Sequence, residues 1–377
     1  MPRILFIGAH RRDRSPSQRY RFDQFIPYWE EHGFSVHYAS LIDEADDAVF
    51  YTPGNLAAKA RIFLKSYRLR RQHVAMAAHF DLVFIQREAF MTGSTRFERA
   101  LAGSGPPVIY DFDDAIWHMD VSDGNRRLRW LKDPGKTATL IRLAHHVIAG
   151  NAYLADYALK HNPQVEVIPT VIDTERYRPR VHGPSAGPVV IGWTGSQTSM
   201  AHLRKVTPML QELGRRWGDR IRLRVVSDRP FTLPGLHVEN VPWRSSTEPE
   251  DLAPMDIGIM PLRDDPWSRG KCGLKGLQYM AMGVPPVMSP VGVNTGIVRD
   301  GENGFLAADQ AEWLEKLGLL IQDADLRGRL GRAARRTVEE GFSTVAWRDH
   351  YIDLFNHLIR THGNPHRTED HRAAARA

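Results

Sequence analysis

The sequence contains a single cysteine, Cys272, among its 377 residues. One cysteine cannot close an intramolecular disulfide and cannot supply a multi-cysteine zinc or iron–sulfur site. No stretch approaches the roughly 18 apolar residues of a membrane-spanning helix. The apolar run over residues 4–7 is too short for a secretory signal, and arginines follow it closely. These absences predict a cytoplasmic protein.

The charge excess is small, with a formal net charge of +6 at pH 7 that is spread over both halves of the chain. Apolar residues make up 42% and charged residues 25%, which is typical of a folded globular protein and excludes wholesale disorder. No nucleic-acid-binding motif and no basic stripe interleaved with aromatic residues accompanies the positive charge. We therefore expect phosphorylated metabolites or an anionic membrane surface as partners, and no nucleic acid.

Short β-branched runs alternate with helical patterns twice along the chain, which is typical of parallel sheets covered by helices on both faces. The expected strands are residues 3–8, 34–39, 82–86, 107–112, 146–149 and 165–169 in the first half, and 189–193, 221–226, 256–260 and 286–289 in the second. The expected helices are residues 16–32, 55–77, 96–102 and 152–160 in the first half, and 200–217, 274–282, 311–320, 326–340 and 344–360 in the second. The predicted fold class is therefore α/β.

A run rich in proline, glycine and serine over residues 179–188 interrupts the alternation and predicts a linker. We expect one domain over residues 1–180, a second over residues 181–343, and a polar tail without fixed structure over residues 361–377. Because ligands of parallel sheets bind outside the carboxyl ends of the strands, both domains would face one cleft.

The segment over residues 264–286 carries the strongest chemical signal. Gly283, followed by Pro285, predicts the end of a short helix. This helix has an apolar stripe of Leu274, Leu277 and Ala281 and a polar stripe of Lys271, Lys275 and Gln278. An anion at its amino-terminal end would meet two ammonium groups and free backbone N–H groups. The alternative is that both lysines extend into solvent, as surface lysines usually do.

Three stretches together resemble glycosyltransferase family 4, namely residues 278–287 (QYMAMGVPPV), 300–306 (DGENGFL) and 168–179 (IPTVIDTERYRP). The resemblance spans nearly the whole chain. It implies the GT-B fold, in which two Rossmann-like domains face a central cleft and the helix over residues 344–360 returns to the N-terminal domain. It also implies a UDP- or GDP-linked sugar as the donor, retention of the anomeric configuration, and no metal or other cofactor.

The sequence departs from the family at the donor site. Gly270 and Gln278 stand where the family has two glutamates, and Gln278 can hydrogen-bond the ribose hydroxyls only without charge. The loop over residues 192–198 lacks the family's arginine and lysine, so Lys271 and Lys275 are the expected substitutes at the diphosphate. The other donor-binding residues that the resemblance implies are Gly195, Ser196, Thr198, Trp243, Arg244, Gly273 and Leu274.

Three carboxylates, Asp111, Asp113 and Asp114, occur at the end of the strand predicted over residues 107–112. An Asp-x-Asp pair can chelate a divalent metal through its oxygen atoms. Under the resemblance, Asp113 instead stands where the family has a histidine, and it contacts the sugar or acts as a base for the acceptor hydroxyl. We favour the second interpretation, and expect at least one of the three carboxylates only to cap the following turn.

The loop after the first strand leads into a helix whose Ser15, Pro16 and Gln18 match a capping box. Arginines that precede a helix amino terminus at a strand's carboxyl end predict an anionic ligand. The resemblance implies that this loop borders the donor sugar and the acceptor. The expected acceptor-binding residues are Gly8, Arg11, Arg12, Arg14, Arg19 and Asp114, although Arg19 is equally compatible with an exposed helix charge.

Six basic residues crowd the helical pattern over residues 59–71: Lys59, Arg61, Lys65, Arg68, Arg70 and Arg71. Apolar residues are interleaved with them, and a basic amphipathic helix suits peripheral contact with an anionic membrane at its inner face. The alternative is an ordinary solvated face.

The function that follows is transfer of a sugar from a nucleoside diphosphate to a hydroxyl group of a glycan, a lipid-linked acceptor or a small molecule. Asp113, Lys271 and Lys275 are the expected catalytic residues. Three alternatives remain, namely a nucleotide-sugar epimerase of related fold, a nucleotide- or glycan-binding protein that has lost catalysis, and a membrane-associated scaffold. Gly270 and Gln278, in place of two carboxylates, favour the binding protein among these.

Overall fold

The structure, a computed structural model of the chain, describes residues 1–52, 54–118, 132–179 and 187–363. The chain divides into two compact units. The first comprises Met1–Pro169 together with Trp347–Ala377, and the second comprises Thr170–Ala346.

The first unit is built on a six-stranded parallel sheet with the order β2-β1-β3-β4-β5-β6. Its strands are β1 (Arg3–Ile7), β2 (Ser35–Ala39), β3 (Leu82–Gln86), β4 (Val108–Phe112), β5 (His146–Ala149) and β6 (Val165–Val167). Its helices are α1 (Pro16–Arg21), α2 (Ile26–Glu31), α3 (Glu44–Phe50), α4 (Leu56–Met76), α5 (Arg96–Ala102), α6 (Lys136–Leu143) and α7 (Ala152–Ala158). The central strands β1, β3 and β4 are almost wholly buried, which explains their continuous apolar sequences.

The second unit repeats this plan with a six-stranded parallel sheet of order β12-β11-β10-β7-β8-β9. Its strands are β7 (Val189–Thr194), β8 (Ile221–Ser227), β9 (Val238–Pro242), β10 (Ile257–Met260), β11 (Pro286–Met288) and β12 (Phe305–Leu306). Its helices are α8 (Met200–Lys205), α9 (Thr207–Trp217), α10 (Glu248–Leu252), α11 (Pro266–Arg269), α12 (Leu274–Ala281), α13 (Asn294–Ile297), α14 (Gln310–Gln322) and α15 (Ala324–Gly341). The prediction of two parallel-sheet α/β units is confirmed.

The last helix, α16 (Thr344–His362), belongs mainly to the first unit. Its Phe355 ring packs edge-on against Trp29 with ring centroids 4.9 Å apart, and its Tyr351 ring lies 4.8 Å from that of Phe25. All four side chains are buried. The last helix therefore completes an aromatic core together with residues from the N-terminal part of the first unit.

Local differences from the predicted elements have identifiable causes. The helix predicted over residues 16–32 is two helices, α1 and α2, separated by a turn that precedes Pro27. The helix predicted over residues 200–217 is likewise divided, because Pro208 begins a new helix, α9. Strands β9 and β12 were not predicted, since β9 is a partly exposed edge strand with polar residues and β12 has only two residues.

The boundary between the units lies about ten residues before the predicted position at residue 180. Residues after Pro169 pack on the second unit, where the Arg335 guanidinium donates hydrogen bonds to the carbonyl oxygens of Thr174, at 3.0 Å, and Tyr177. Most of the linker predicted over residues 179–188 lies outside the described residues. So does the predicted tail from residue 364 onward, while residues 361 and 362 are the end of α16.

Candidate active site

The second sheet reverses its strand order between β7 and β10, which are neighbours although they are far apart in sequence. From β7 the chain proceeds outward through β8 and β9 on one side, and from β10 through β11 and β12 on the other. Open parallel sheets bind ligands in the crevice outside the carboxyl ends of the strands at such a switch point. The loop that contains Gly195, Ser196 and Thr198 follows β7, and the segment that leads to Lys271 and α12 follows β10.

Helix α12 begins at the switch point because Gly273, its N-cap residue, adopts a left-handed conformation with φ of 72°. A Cβ atom at this position would lie 2.3 Å from the Cδ1 atom of Ile297, so the site also requires a residue without a side chain. The Tyr279 hydroxyl on the same helix accepts a hydrogen bond from the Thr194 N–H at 2.9 Å. This contact fixes α12 to the carboxyl end of β7. The predicted helix end is confirmed, with Gly283 in the left-handed conformation just after it.

The two predicted phosphate-binding lysines lie on either side of Gly273. The Nζ atom of Lys271 is 5.6 Å from the centre of the Trp267 ring, and that of Lys275 is 5.9 Å from the centre of the Trp193 ring. Both lysines are half-buried rather than fully extended into solvent. Lys271 precedes α12, so the predicted three-residue polar stripe on that helix was wrong in its first member.

A histidine that the sequence analysis missed lies close to these lysines. Burial, followed by the positive charges of Lys271 and Lys275, lowers the pKa of His202 from 6.5 to about 4. His202 is on α8, directly after the loop that follows β7. Lys271 and Lys275 therefore both lie near His202, which follows the Ser196 loop in the chain. In that loop, the Ser196 and Thr198 hydroxyl oxygens are 2.8 Å apart.

Gln278 is buried, with an exposed fraction of only 2%, and does not lie on an exposed polar face. Its Nε2 donates a hydrogen bond to the Tyr177 hydroxyl at 3.4 Å, and this hydroxyl donates to the Glu248 carboxylate at 2.7 Å. The other Glu248 oxygen accepts from the Trp243 Nε1–H at 2.8 Å. Glu248 thus connects the expected ribose contact with the expected base contact, whereas Arg244 next to Trp243 is exposed.

Sequence reasoning missed Glu248 because it is one of several acidic residues at the start of α10. The only available signal was its position shortly after Trp243, and nothing in the pattern distinguishes it from its exposed neighbour Glu250. Tertiary packing buries the first of them and leaves the other in solvent.

The first sheet has its switch point between β1 and β3. The loop after β1 is held by the Gln18 side chain, whose Nε2 donates to the His10 carbonyl at 2.9 Å and whose Oε1 accepts from the His10 N–H at 3.0 Å. The predicted capping box is therefore wrong. Ser15 is the N-cap residue of α1, but its side chain makes no capping hydrogen bond. The Gln18 side chain bonds to His10 in the loop and does not supply the reciprocal bond to Ser15.

The arginines of this loop have different environments. Arg11 forms an ion pair with Asp47, with its Nη1 atom 2.9 Å from the Oδ2 atom, and Arg14 pairs with the same carboxylate. Arg12 is exposed, while Arg19 is buried with only 4% of its surface accessible. The alternative in which Arg19 is an exposed helix charge is wrong, and its predicted role as an acceptor contact stays a prediction.

A buried arginine on α4 fixes the loops at this end of the sheet. The Arg70 guanidinium donates to the carbonyl oxygens of Gly8, Ala39 and Ala89, at 2.8, 3.0 and 2.6 Å. These three carbonyls follow or end β1, β2 and β3. Burial lowers the pKa of Arg70 from 12.5 to about 9. Arg70 is thus a structural residue, and the predicted position of its charge on a membrane-facing surface is wrong.

The three carboxylates at the end of β4 and just after it each form an ion pair with an arginine. Asp111 is fully buried and forms an ion pair with Arg21, with the Nη2 and Oδ1 atoms 2.5 Å apart. Asp113 and Asp114 both pair with Arg87, a residue that the sequence analysis missed. Among the described residues, no group of three or more histidine, cysteine, aspartate or glutamate side chains is arranged to hold a metal ion. This geometry disfavours chelation by Asp111 and Asp113.

A buried carboxylate supports the loop after β1 and makes its stability depend on pH. Asp23 accepts hydrogen bonds from the Asp13 N–H at 3.0 Å and from the Tyr38 hydroxyl at 2.9 Å. Burial raises the pKa of Asp23 from 3.8 to about 6. Because the folded-state pKa is the higher one, this group's contribution to stability is full below about pH 4 and is lost as the pH rises through about 6.

The Asp23→Asn variant is therefore expected to lack part of the stability change that the native protein shows between about pH 4 and pH 7. The missing part of the free energy of unfolding is on the order of 2–3 kcal/mol. Hydrogen exchange of peptides that contain the loop after β1 measures it as a function of pH. Glu30→Gln, at an exposed position on α2, is the control. An unchanged pH dependence in Asp23→Asn would contradict the assignment.

Comparison with known proteins places this architecture in a known class. Residues 189–323 match the model of the family described as Glycosyl transferases group 1. No curated protein sequence matches the chain. The matched residues contain both sides of the switch point in the second sheet, including Gly195, Lys271 and Lys275.

Solved structures of other proteins superpose on nearly the whole chain. Sucrose-phosphate synthase from Thermosynechococcus elongatus superposes with a TM-score of 0.68 at 14% identity, covering 96% of this chain and 100% of that one. Anabaena HepE in complex with UDP and glucose gives a TM-score of 0.67 at 16% identity, covering 94% and 100%. The catalytic domain of Arabidopsis thaliana starch synthase IV, bound to ADP and acarbose, gives 0.65 at 12% identity, covering 95% and 99%.

The fold is therefore GT-B, as the resemblance implied. The second unit contains the segment that matches the glycosyltransferase group 1 model, and this match supports a glycosyltransferase. In the described part of the chain, no helix combines the length and the apolar character that crossing a membrane requires.

Proposed function

We propose that this protein transfers a sugar from a nucleoside diphosphate to a hydroxyl acceptor with retention of anomeric configuration and without a metal. The donor binds to the second unit and the acceptor mainly to the first. The observation that carries the proposal is that Lys271 and Lys275 both lie near His202, which follows the Ser196 loop, at the switch point of the segment that matches the glycosyltransferase model.

The electrostatics of this position suit a departing diphosphate. As the glycosidic bond breaks, the electron pair remains on the phosphate oxygen and the diphosphate gains negative charge. Lys271 and Lys275, together with the backbone N–H groups at the start of α12, interact with this charge more strongly in the transition state than in the ground state. Gln278 is positioned by Tyr177 to accept a hydrogen bond from a ribose hydroxyl.

The donor is a UDP- or GDP-linked sugar. Support comes from the solved neighbours, since Anabaena HepE is described in complex with UDP and with UDP-glucose, and starch synthase IV with ADP. Retention rests on the resemblance to glycosyltransferase family 4. Independence from metal rests on Asp111 and Asp113, which are paired with Arg21 and Arg87 instead of being arranged for chelation.

Calorimetry with UDP, GDP and dTDP tests the donor assignment, followed by assays of transfer from the matching sugar nucleotides to a panel of hydroxyl acceptors. We expect binding of one nucleoside diphosphate and acceptor-dependent release of it that persists in EDTA. Loss of activity in EDTA that Mn²⁺ restores would contradict metal independence. Conversion of the donor without any acceptor would indicate an epimerase, and nucleotide binding without turnover would indicate a binding protein.

We further propose that α4 contacts an anionic membrane surface through a smaller patch than the sequence suggested. Lys59 and Arg70 are buried, and Lys65 pairs with Asp43 and Asp46. The exposed face retains three arginines and two leucines: Leu56, Arg61, Leu64, Arg68 and Arg71. Leu56 and Leu64 are 67% and 56% exposed, which is unusual for leucine on a helix.

The triple variant Arg61→Ala/Arg68→Ala/Arg71→Ala is expected to bind vesicles of anionic lipid about 10²-fold more weakly, since each arginine contributes about 1 kcal/mol near such a surface. Co-sedimentation with vesicles measures the change. The matched control replaces three exposed arginines of α15, Arg329, Arg332 and Arg336. Equal binding by both triple variants would contradict the role of α4.

A further inference from the structure

Arg87 is the first residue after β3, at the switch point of the first sheet. Strands β3 and β4 pair in parallel with Gln86 opposite Asp111, so Arg87 stands beside the segment that leads from Asp111 to Asp113. The register of two buried strands, β3 and β4, therefore determines the position of Arg87 relative to Asp113.

The backbone of Arg87 is held in an unusual conformation. Its φ of 62° lies in the left-handed region, which residues other than glycine adopt at a cost. The Arg87 N–H donates to the Asp111 carbonyl at 2.8 Å, and the Arg87 carbonyl accepts from the Tyr110 hydroxyl at 3.0 Å. Tyr110 is buried, so both contacts come from the rigid part of the unit. This conformation directs the side chain along the carboxyl end of the sheet.

The guanidinium group contacts two adjacent carboxylates. Its Nε atom lies 3.1 Å from the Oδ1 atom of Asp113, and its Nη2 atom donates to Asp114. Without a cation between them, two neighbouring carboxylates would repel each other and adopt different side-chain conformations. The planar guanidinium, with donors fixed in one plane, is better suited to orient both than an ammonium group is.

Three other arginines of this region pair with different carboxylates. Arg11 and Arg14 pair with Asp47, and Arg21 pairs with Asp111. The Arg87 side chain itself is 30% exposed, so it is accessible from solvent while its backbone is fixed.

We propose that Arg87 is the positioning residue for Asp113, holding this carboxylate in one orientation so that it accepts a hydrogen bond from a sugar hydroxyl during transfer. The inference rests on the proposed function, because it assigns Arg87 to the same reaction. Arg87 acts through Asp113, whereas the donor diphosphate is proposed to bind to the second unit.

The Arg87→Gly variant tests this assignment, because glycine adopts a φ of 62° without cost and leaves space for the lost guanidinium. We expect kcat to fall on the order of 10²-fold, as is usual when a reacting group loses its orientation. The affinity for the nucleoside diphosphate, measured by calorimetry, should stay within about twofold of the native value. Millimolar methylguanidinium should restore part of the lost kcat.

Two further variants separate positioning from folding. Arg87→Lys, which keeps the charge but not the planar donors, should retain more activity than Arg87→Gly. Arg99→Ala removes an exposed arginine of α5 and is the control for general effects of methylguanidinium. Unchanged kcat in Arg87→Gly, or a loss that follows the unfolded fraction and is not rescued, would overturn the inference. Absence of transfer by the native protein would instead refute the proposed function, and the inference with it.

Discussion

The Lys275→Ala variant is expected to bind the nucleoside diphosphate about 10- to 150-fold more weakly, while binding of the corresponding nucleoside changes little. The range corresponds to about 1.5–3 kcal/mol for a hydrogen bond to a charged group. Lys275 is half-buried beside Trp193 and close to His202, so a contact between its ammonium group and a phosphate would form in a partly desolvated setting. Turnover should decrease by on the order of 10²-fold or more, since the contact strengthens as the diphosphate departs.

Calorimetry with the nucleoside diphosphate and with the nucleoside, on the same variant, measures the two affinities. Lys205→Ala, at an exposed position on α8 in the same unit, is the matched control and should leave both unchanged. An equal loss of affinity for both ligands would show that Lys275 maintains the fold of the site and does not contact phosphate.

The Asp111→Ala variant is expected to destabilise the first unit by about 3–5 kcal/mol, because it leaves the Arg21 guanidinium buried without its carboxylate. Arg21 is 1% exposed and also donates a hydrogen bond to the Ile168 carbonyl at 2.5 Å. Its side chain therefore cannot rotate into solvent without losing this hydrogen bond and its packing. The effect should be largest in β4, where Asp111 lies.

Hydrogen exchange of peptides from β1, β3 and β4 is the appropriate measurement, since a chain of two units need not unfold in one step. The double variant Arg21→Met/Asp111→Leu should be less destabilised than Asp111→Ala, because replacing both charges with apolar groups avoids a buried unpaired ion. A double variant as unstable as the single one would show that the packing of the two side chains, and not their charge, governs stability.

The side chains at the two switch points differ in charge, which suggests that the two units bind different parts of the substrates. In the second unit, the side chains expected to contact the donor diphosphate and ribose are cationic or neutral: Lys271, Lys275, Ser196 and Gln278. In the first unit, carboxylates and arginines alternate around Arg87, which suits hydroxyl groups better than phosphates. This contrast agrees with the proposed binding of the donor to the second unit and of the acceptor to the first.

Much of the fold could be predicted because buried parallel strands have continuous β-branched or apolar sequences. Six of six strands in the first unit, and four of six in the second, were found in this way. The missed strands, β9 and β12, lie at the two edges of the second sheet, where partial exposure permits polar residues and short length. The helix breaks near Pro27 and Pro208 were missed because the prediction followed the apolar periodicity and not the positions of proline.

The candidate site was predicted less completely. Lys271, Lys275 and Gln278 could be predicted as candidates because they lie within one short segment with a recognisable pattern, and the structure brings Lys271 and Lys275 close to His202. Arg87, His202 and Glu248 were missed because each is a single polar residue after or near a strand. Their partners are distant in sequence, as with Asp113 for Arg87 and Tyr177 for Glu248.

The sequence by itself determined the α/β architecture, the two parallel sheets and the segment that resembles a sugar-nucleotide site, because these depend on local periodicity and on short motifs. Only the tertiary structure decided which charges neutralise one another. Arg21 and Asp111 are 90 residues apart in the chain, and Arg11 and Asp47 are 36 apart. Such pairs form because burial makes an unpaired charge costly, and the sequence does not record which distant group the fold will bring within reach.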